Sequence, residues 1–172
     1  MNGRGAMFLI AGFAALLLII AVFSGWQGTR RLTSQGDDSA AVQEAARGFV
    51  QAFGTFDFRE PEVYRQRLLA LSTGVVREAT LASGVDPVAV GQKRTTTTRI
   101  LSVSVTALSG DAASASVTAE QLRKSVDSET GRLIEERVVQ RVACRLVRQA
   151  NSWLVTEFRL LSEEPAVPTP RS

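Results

Sequence analysis

LSVSVTALSGDAASASVTA, residues 101–119, carries two runs of alternation about a turn. Leu101, Val103, Val105 and Ala107 alternate with Ser102, Ser104 and Thr106; after Ser109, Gly110 and Asp111, Ala113, Ala115, Val117 and Ala119 alternate with Ser114, Ser116 and Thr118. A side-chain period of two is that of a β-strand with one buried face. Two such runs joined by a short polar turn fold back as an antiparallel hairpin. Glu129, Thr130 and Gly131 make the next turn. Residues 132–149 then set Val138, Val142, Cys144 and Leu146 on one face and Arg137, Arg141 and Arg145 on the other. Ala150, Asn151 and Ser152 turn again, and residues 153–161 read as the last strand. Pro165, Pro168 and Pro170 end regular structure, which predicts a disordered Pro-rich tail over 162–172.

Upstream of the strands the period is close to 3.6. Val42, Ala46, Phe49, Phe53 and Phe56 recur at spacings of three and four, predicting a helix over 39–58 with one apolar stripe. Aromatic residues at helical spacing are read as a core face, because burial of large apolar side chains drives folding. Pro61 suits the first turn of a second helix, where its missing amide hydrogen would be unpaired anyway. Val63, Tyr64, Leu68 and Leu71 continue that helix. Thr73 and Gly74 break it, and Val75, Val76 and Ala79 predict a short third helix before a loop at 83–87. Three helices followed by a four-stranded antiparallel meander specify an α+β layer, with a long, curved sheet wrapped on a helix as a cone over residues 39–161.

The 21 residues of 6–26, AMFLIAGFAALLLIIAVFSGW, contain no charge. As a helix rising about 1.5 Å per residue they span a bilayer core of about 30 Å. Arg4 in the flank 1–5, and Trp26 with Arg30 and Arg31 in the linker 27–38, stand where interfacial anchors belong. The apolar run exceeds that of a signal peptide and has no small-x-small cleavage site, so the expectation is an uncleaved, single-pass anchor in the bilayer.

Composition excludes several chemistries. Histidine is absent and cysteine occurs once, so His-based triads, His-ligated metal, Cys-rich zinc sites and an internal disulfide cannot be built within the chain. The net charge of +3 comes from Arg4, Arg30 and Arg31; from Asp37 onward 17 basic residues balance 17 acidic ones. A domain with no positive excess lacks the general footprint of nucleic-acid binding. Asp57 and Tyr64 form the one pair resembling an acid or base beside a phenol, but no oxyanion donor accompanies them. Cys144, on the apolar face of its strand, is read as a small buried hydrophobe. Arg137, Arg141 and Arg145 share parity, which predicts a ridge with about 13 Å between successive members. The ridge reads as a solvent face kept soluble by charge, with Glu135, Glu136 and Glu157 as neighbours, or, if a protein docks on the sheet, as the candidate protein interface, since arginine is enriched at interface hot spots.

The membrane helix, the helical stretch AVQEAARGFVQAFGTFDFREPEVYRQRLLALSTGVVREA and the sheet ending in NSWLVTEFRLL resemble membrane-anchored proteins with the nuclear transport factor 2-like fold. The pattern is similar to conjugative-transfer proteins of the TcpC type, themselves similar in fold to the eighth VirB subunit of type IV secretion systems. Phe49, Phe53 and the Phe56-Asp57-Phe58 stretch match the aromatic-rich first helix of that fold, and Trp153-Leu154-Val155 matches the opening of its last strand. Mce-associated membrane proteins share the plan, including a threonine-glycine pair like Thr73-Gly74. The resemblance implies a non-enzymatic, single-pass scaffold or accessory subunit of an envelope-spanning machine, with its domain outside the inner membrane. It implies protein-subunit partners and no catalytic residues; Ala11 and Ala15 form a small-xxx-small pair that points to a candidate homo-oligomer, and no cofactor or metal site is expected. The alternatives are an accessory protein of a lipid-uptake transporter and a small-ligand-binding cone.

Overall fold

The computed structural model describes residues 36–84 and 86–166; the anchor expected at 6–26, most of the expected linker and the residues from 167 lie outside them. Among the described residues no helix is long and apolar enough to cross a membrane. Helix α1 runs over 36–54 and is followed by β1 (Phe56–Asp57), α2 (Pro61–Leu71), α3 (Gly74–Ala82), α4 (Pro87–Gly91), β2 (Thr95–Ser109), β3 (Ala112–Val126), β4 (Leu133–Gln149) and β5 (Ser152–Pro165). The strands form one antiparallel sheet in the order β1-β2-β3-β4-β5. The α+β class and the curled sheet thus agree with the sequence reading, with a fifth strand added by β1.

The sheet curls because its inner and outer strands differ in length of path. Pairing between β3 and β4 is continuous, Ala112 opposite Val147 through Val126 opposite Leu133. Register shifts leave Leu101 and Thr106 of β2, and Thr156 and Leu161 of β5, without partners. These are bulges, each inserting one residue, bending the strand and increasing its twist. Extra residues in the two flanking strands let them wrap around the apolar layer while β3 and β4 stay regular.

That apolar layer is where α1 meets the sheet. Val42, Ala46, Phe49 and Val50 of α1 are buried with Ala113, Ala115, Val117 and Ala119 of β3, Val142, Cys144 and Leu146 of β4, and Trp153 and Val155 of β5. Three of the four β3 residues are alanines, which allows the helix backbone to approach the sheet closely. The approach is tightest at the end of α1. A Cβ on Gly54 would overlap Thr98 Oγ1 and come within 2.6 Å of Gln121 Nε2. Phe49 has no exposure, and its ring lies 6.1 Å from Phe53 and 5.7 Å from Phe158.

Several boundaries differ from expectation for local reasons. Gly54 ends α1, so Phe56 leaves the helical stripe and pairs with Thr96 in β1. The bulge at Leu101 puts Ile100 against the core and leaves Leu101 exposed; the second, at Thr106, does the same for Leu108 and Ala107. The loop expected at 83–87 leads into α4, whose first amides are served by the Asp86 carboxylate accepting from Val88 N at 2.9 Å, with Pro87 at the first position. Residues 162–165, expected in the tail, belong instead to β5, which continues to Pro165 opposite Val138. Gly74, at φ +53°, opens α3 with its Cα against Thr156, where a Cβ would meet Oγ1 at 2.5 Å.

Gly48 and Gly54 of α1 give opposed expectations. Gly54→Ala forces atoms apart in a packed layer and is expected to lower stability by about 1–3 kcal/mol. Gly48→Ala, with nothing within 4 Å of its added methyl, is expected to raise stability by up to about 1 kcal/mol through helix propensity. Urea unfolding followed by circular dichroism separates the two.

Candidate functional site

The two faces of the sheet carry different chemistry. On the inner face, beyond the end of α1, Arg123 of β3 donates to both carboxylate oxygens of Glu163 on β5, at 3.1 and 2.7 Å. Its Nε and Nη2 also reach Gln121 Oε1 at 3.2 and 3.1 Å. Gln140 of β4 donates to the same Glu163 carboxylate. A bidentate guanidinium–carboxylate pair fixes both side chains in orientation, so three strands are tied across the mouth of the curl. The Arg123 hydrogen bond, with help from Gln140, holds the Glu163 carboxyl below the usual range.

Phe53, Tyr64 and Phe158 stand beside this network, and with Gln121 and Arg123 they line a broad open recess. The rings of Phe53 and Phe158 are 4.4 Å apart. Asp57 is not among the lining residues of that recess. It shares with Tyr64 a smaller one of 210 Å³, below the roughly 300 Å³ at which small-molecule sites begin. Within it the two groups serve the backbone instead of each other. Asp57 Oδ1 accepts from Arg59 N at 2.9 Å, and the Tyr64 hydroxyl donates to the Phe53 carbonyl at 3.1 Å. Burial pushes the Tyr64 phenol upward, away from a role as a base near neutrality.

The outer face is the opposite one, marked by hydroxyls and arginines. Arg137, Arg141 and Arg145 all lie there, as their shared parity requires, while Val138, Val142, Cys144 and Leu146 point into the core. Their circumstances differ. Arg137 is bound at 3.1 Å to Glu120, which also takes Arg99 at 2.5 Å, so that carboxylate is closed between two guanidinium groups and held below its usual range, chiefly by Arg99. Arg145 makes only 3.4 Å contacts with the exposed Glu157. Arg141 is exposed opposite Thr118 and Ser162. Arg159 of β5, which the parity argument on β4 alone does not reach, joins the same face opposite Ala143.

Cys144 is buried, and desolvation pushes its thiol up to about 12. Among the described residues no group of three or more Cys, Asp or Glu side chains is placed to hold a metal ion.

No protein-family model and no curated protein sequence matches the chain. Solved structures do. The VirB8 protein of Agrobacterium tumefaciens is similar with a TM-score of 0.52 at 9% identity, over 74% of this chain and 94% of that one. An IcmL-like type IV secretion system protein from Legionella pneumophila is similar with a TM-score of 0.50 at 12% identity, over 80% and 96% of the two chains. An Ntf2-like protein involved in plasmid conjugation gives 0.50 at 10%, over 76% of this chain and 51% of that one. The chain therefore shares the nuclear transport factor 2-like fold found among type IV secretion and conjugation proteins.

Two measurements follow from the site. Because Glu163 titrates below its unfolded value, its pairing stabilises the fold above about pH 4.5 and is lost as pH falls through the depressed value. Glu163→Gln should therefore unfold with a shallower dependence on pH between about 5 and 3 than the parent chain, read by circular dichroism. Cys144 should resist a thiol-reactive disulfide reagent at about pH 8 until denaturant is added, since the thiolate is the nucleophile.

Proposed function

We propose that the chain is a non-enzymatic, single-pass accessory subunit of an envelope-spanning machine of the type IV secretion or conjugation kind, with its domain outside the inner membrane. The observation that carries this reading is the match over 94% of the VirB8 structure, taken with the uncharged 6–26 segment ahead of the same fold. The inner layer supports it too. Phe49 and the apolar side chains around it fill the contact between α1 and the sheet, and Asp57 and Tyr64 are each engaged with backbone groups. These contacts support an assembly surface over an acid–phenol pair at Asp57 and Tyr64. A second reading, a ligand-binding cone, is favoured by one feature, the recess beside Phe53, Tyr64 and Phe158.

Gentle detergent co-purification of the tagged chain from its native membrane tests the proposal. Recovery of a transfer ATPase with channel subunits is the expected outcome. Recovery of lipid-uptake transporter components would replace it with the Mce-associated reading, and recovery of the chain alone would favour the ligand-binding cone. Orientation is tested separately with a cysteine introduced at Pro170, read against the buried Cys144. It is expected to react with impermeant maleimide in intact cells, and protection until lysis would contradict the outward-facing domain.

A further inference from the structure

We infer that Arg141, Arg145 and Arg159 form a docking rank for an extended acidic segment of a partner protein, one with carboxylates at alternate positions. The inference rests on the assembly reading above and names the surface and chemistry of one contact within it.

The geometry is that of the sheet itself. Arg141 and Arg145 lie four residues apart on β4, about 13 Å along the strand. Arg159 lies opposite Ala143, midway between them on the neighbouring strand. Three outward cations therefore recur about every 6.6 Å along the strand direction, the same repeat as alternate side chains of an extended chain. Beside them the face is low. Ser114, Ser116 and Thr118 stand opposite Arg145, Ala143 and Arg141, and Ser102 and Ser104 continue the floor on β2. A strand-like segment can rest on this hydroxyl floor with its acidic side chains turned toward the arginines.

Charge selects the occupant. Glu120, the best-placed carboxylate on this face, is already closed between Arg99 and Arg137. Glu157 meets Arg145 only at 3.4 Å, with both side chains more than half exposed, an arrangement that an incoming carboxylate can displace at little cost. Arg141 and Arg159 are exposed. The rank is thus locally cationic in a region, from Asp37 onward, whose charges balance in total. A phosphodiester chain has a similar repeat, but the floor of serine and threonine offers no aromatic ring on which bases could stack, which favours a peptide.

The test is fluorescence anisotropy with the full chain in detergent. The probe is a fluorescein-labelled Ser/Thr peptide with three glutamates at alternate positions. Its comparator has the same composition with the glutamates contiguous. The alternating peptide is expected to bind at least about fivefold more tightly, and the double reversal Arg141→Glu/Arg159→Glu to weaken it about tenfold or more. Arg132→Glu, on the exposed β3–β4 turn, should leave binding unchanged. Ser116→Trp, which fills the floor without changing charge, should weaken it as well and serves if the double reversal fails to fold. Equal binding of the two peptides, or indifference to both variants, would overturn the inference. So would tighter binding of an oligothymidylate or of phosphatidylglycerol vesicles, each with its own rank of phosphates. Co-purification of the Arg141→Glu/Arg159→Glu chain separates the two levels. An intact complex would overturn the rank and leave the assembly reading standing, whereas loss of the complex from the variant alone would support both.

Discussion

Close contact between the apolar stripe of α1 and the alanine-rich inner face of β3 is the constraint from which the other features follow. Ala113, Ala115 and Ala119 leave space above the sheet for Val42, Ala46, Phe49 and Val50, and Gly54 lets the helix end press against Thr98 and Gln121. A flat sheet would bury only the middle of such a helix. The bulges at Leu101 and Thr106 on one side and Thr156 and Leu161 on the other bend the flanking strands around it. Burial of these side chains, at roughly 25 cal/mol per Å² of apolar surface removed from water, is the main favourable contribution.

Once the inner face is committed to packing, what remains available divides by position. Past the end of α1 the strands project beyond their helical cover, and the inner surface changes from apolar to a hydrogen-bonded set of Gln121, Arg123, Gln140 and Glu163. These groups satisfy one another across three strands and so hold the curl where no core does. The outer face carries the less completely satisfied cations, with Arg141 and Arg159 exposed and Arg145 held at 3.4 Å. A sheet braced from within by a helix supplies broad, rigid, chemically marked surface, which suits the assembly role proposed above.

Much of this was legible in the sequence, and the limits are physical. The parity of Val138, Val142, Cys144 and Leu146 against Arg137, Arg141 and Arg145 needs only the two-residue period of a strand, and the structure places each accordingly. Pro61 at the start of α2 and the burial of Cys144 are equally local inferences. The bulges were not legible, because an unpaired residue is defined by its partner strand; Leu101 and Ala107 therefore read as core although they face out. Strand β1 exists only through its pairing with Thr95 and Thr96. The outer face was half visible. Its rank on β4 is a sequence pattern, but closure of Glu120 by Arg99 and the arrival of Arg159 depend on contacts 21 residues apart and on the β4–β5 register.

Photo-crosslinking in living cells asks most directly which side of the sheet does the work of the protein. A benzoylphenylalanine at Ala107, exposed on the outer face opposite Ser114, should form adducts with a subunit of a membrane-embedded transfer assembly, while the same group at Tyr64, beside the inner recess, should form none. Adducts confined to Tyr64, or the absence of any protein adduct from Ala107, would contradict a scaffold that acts through the outer face of its sheet.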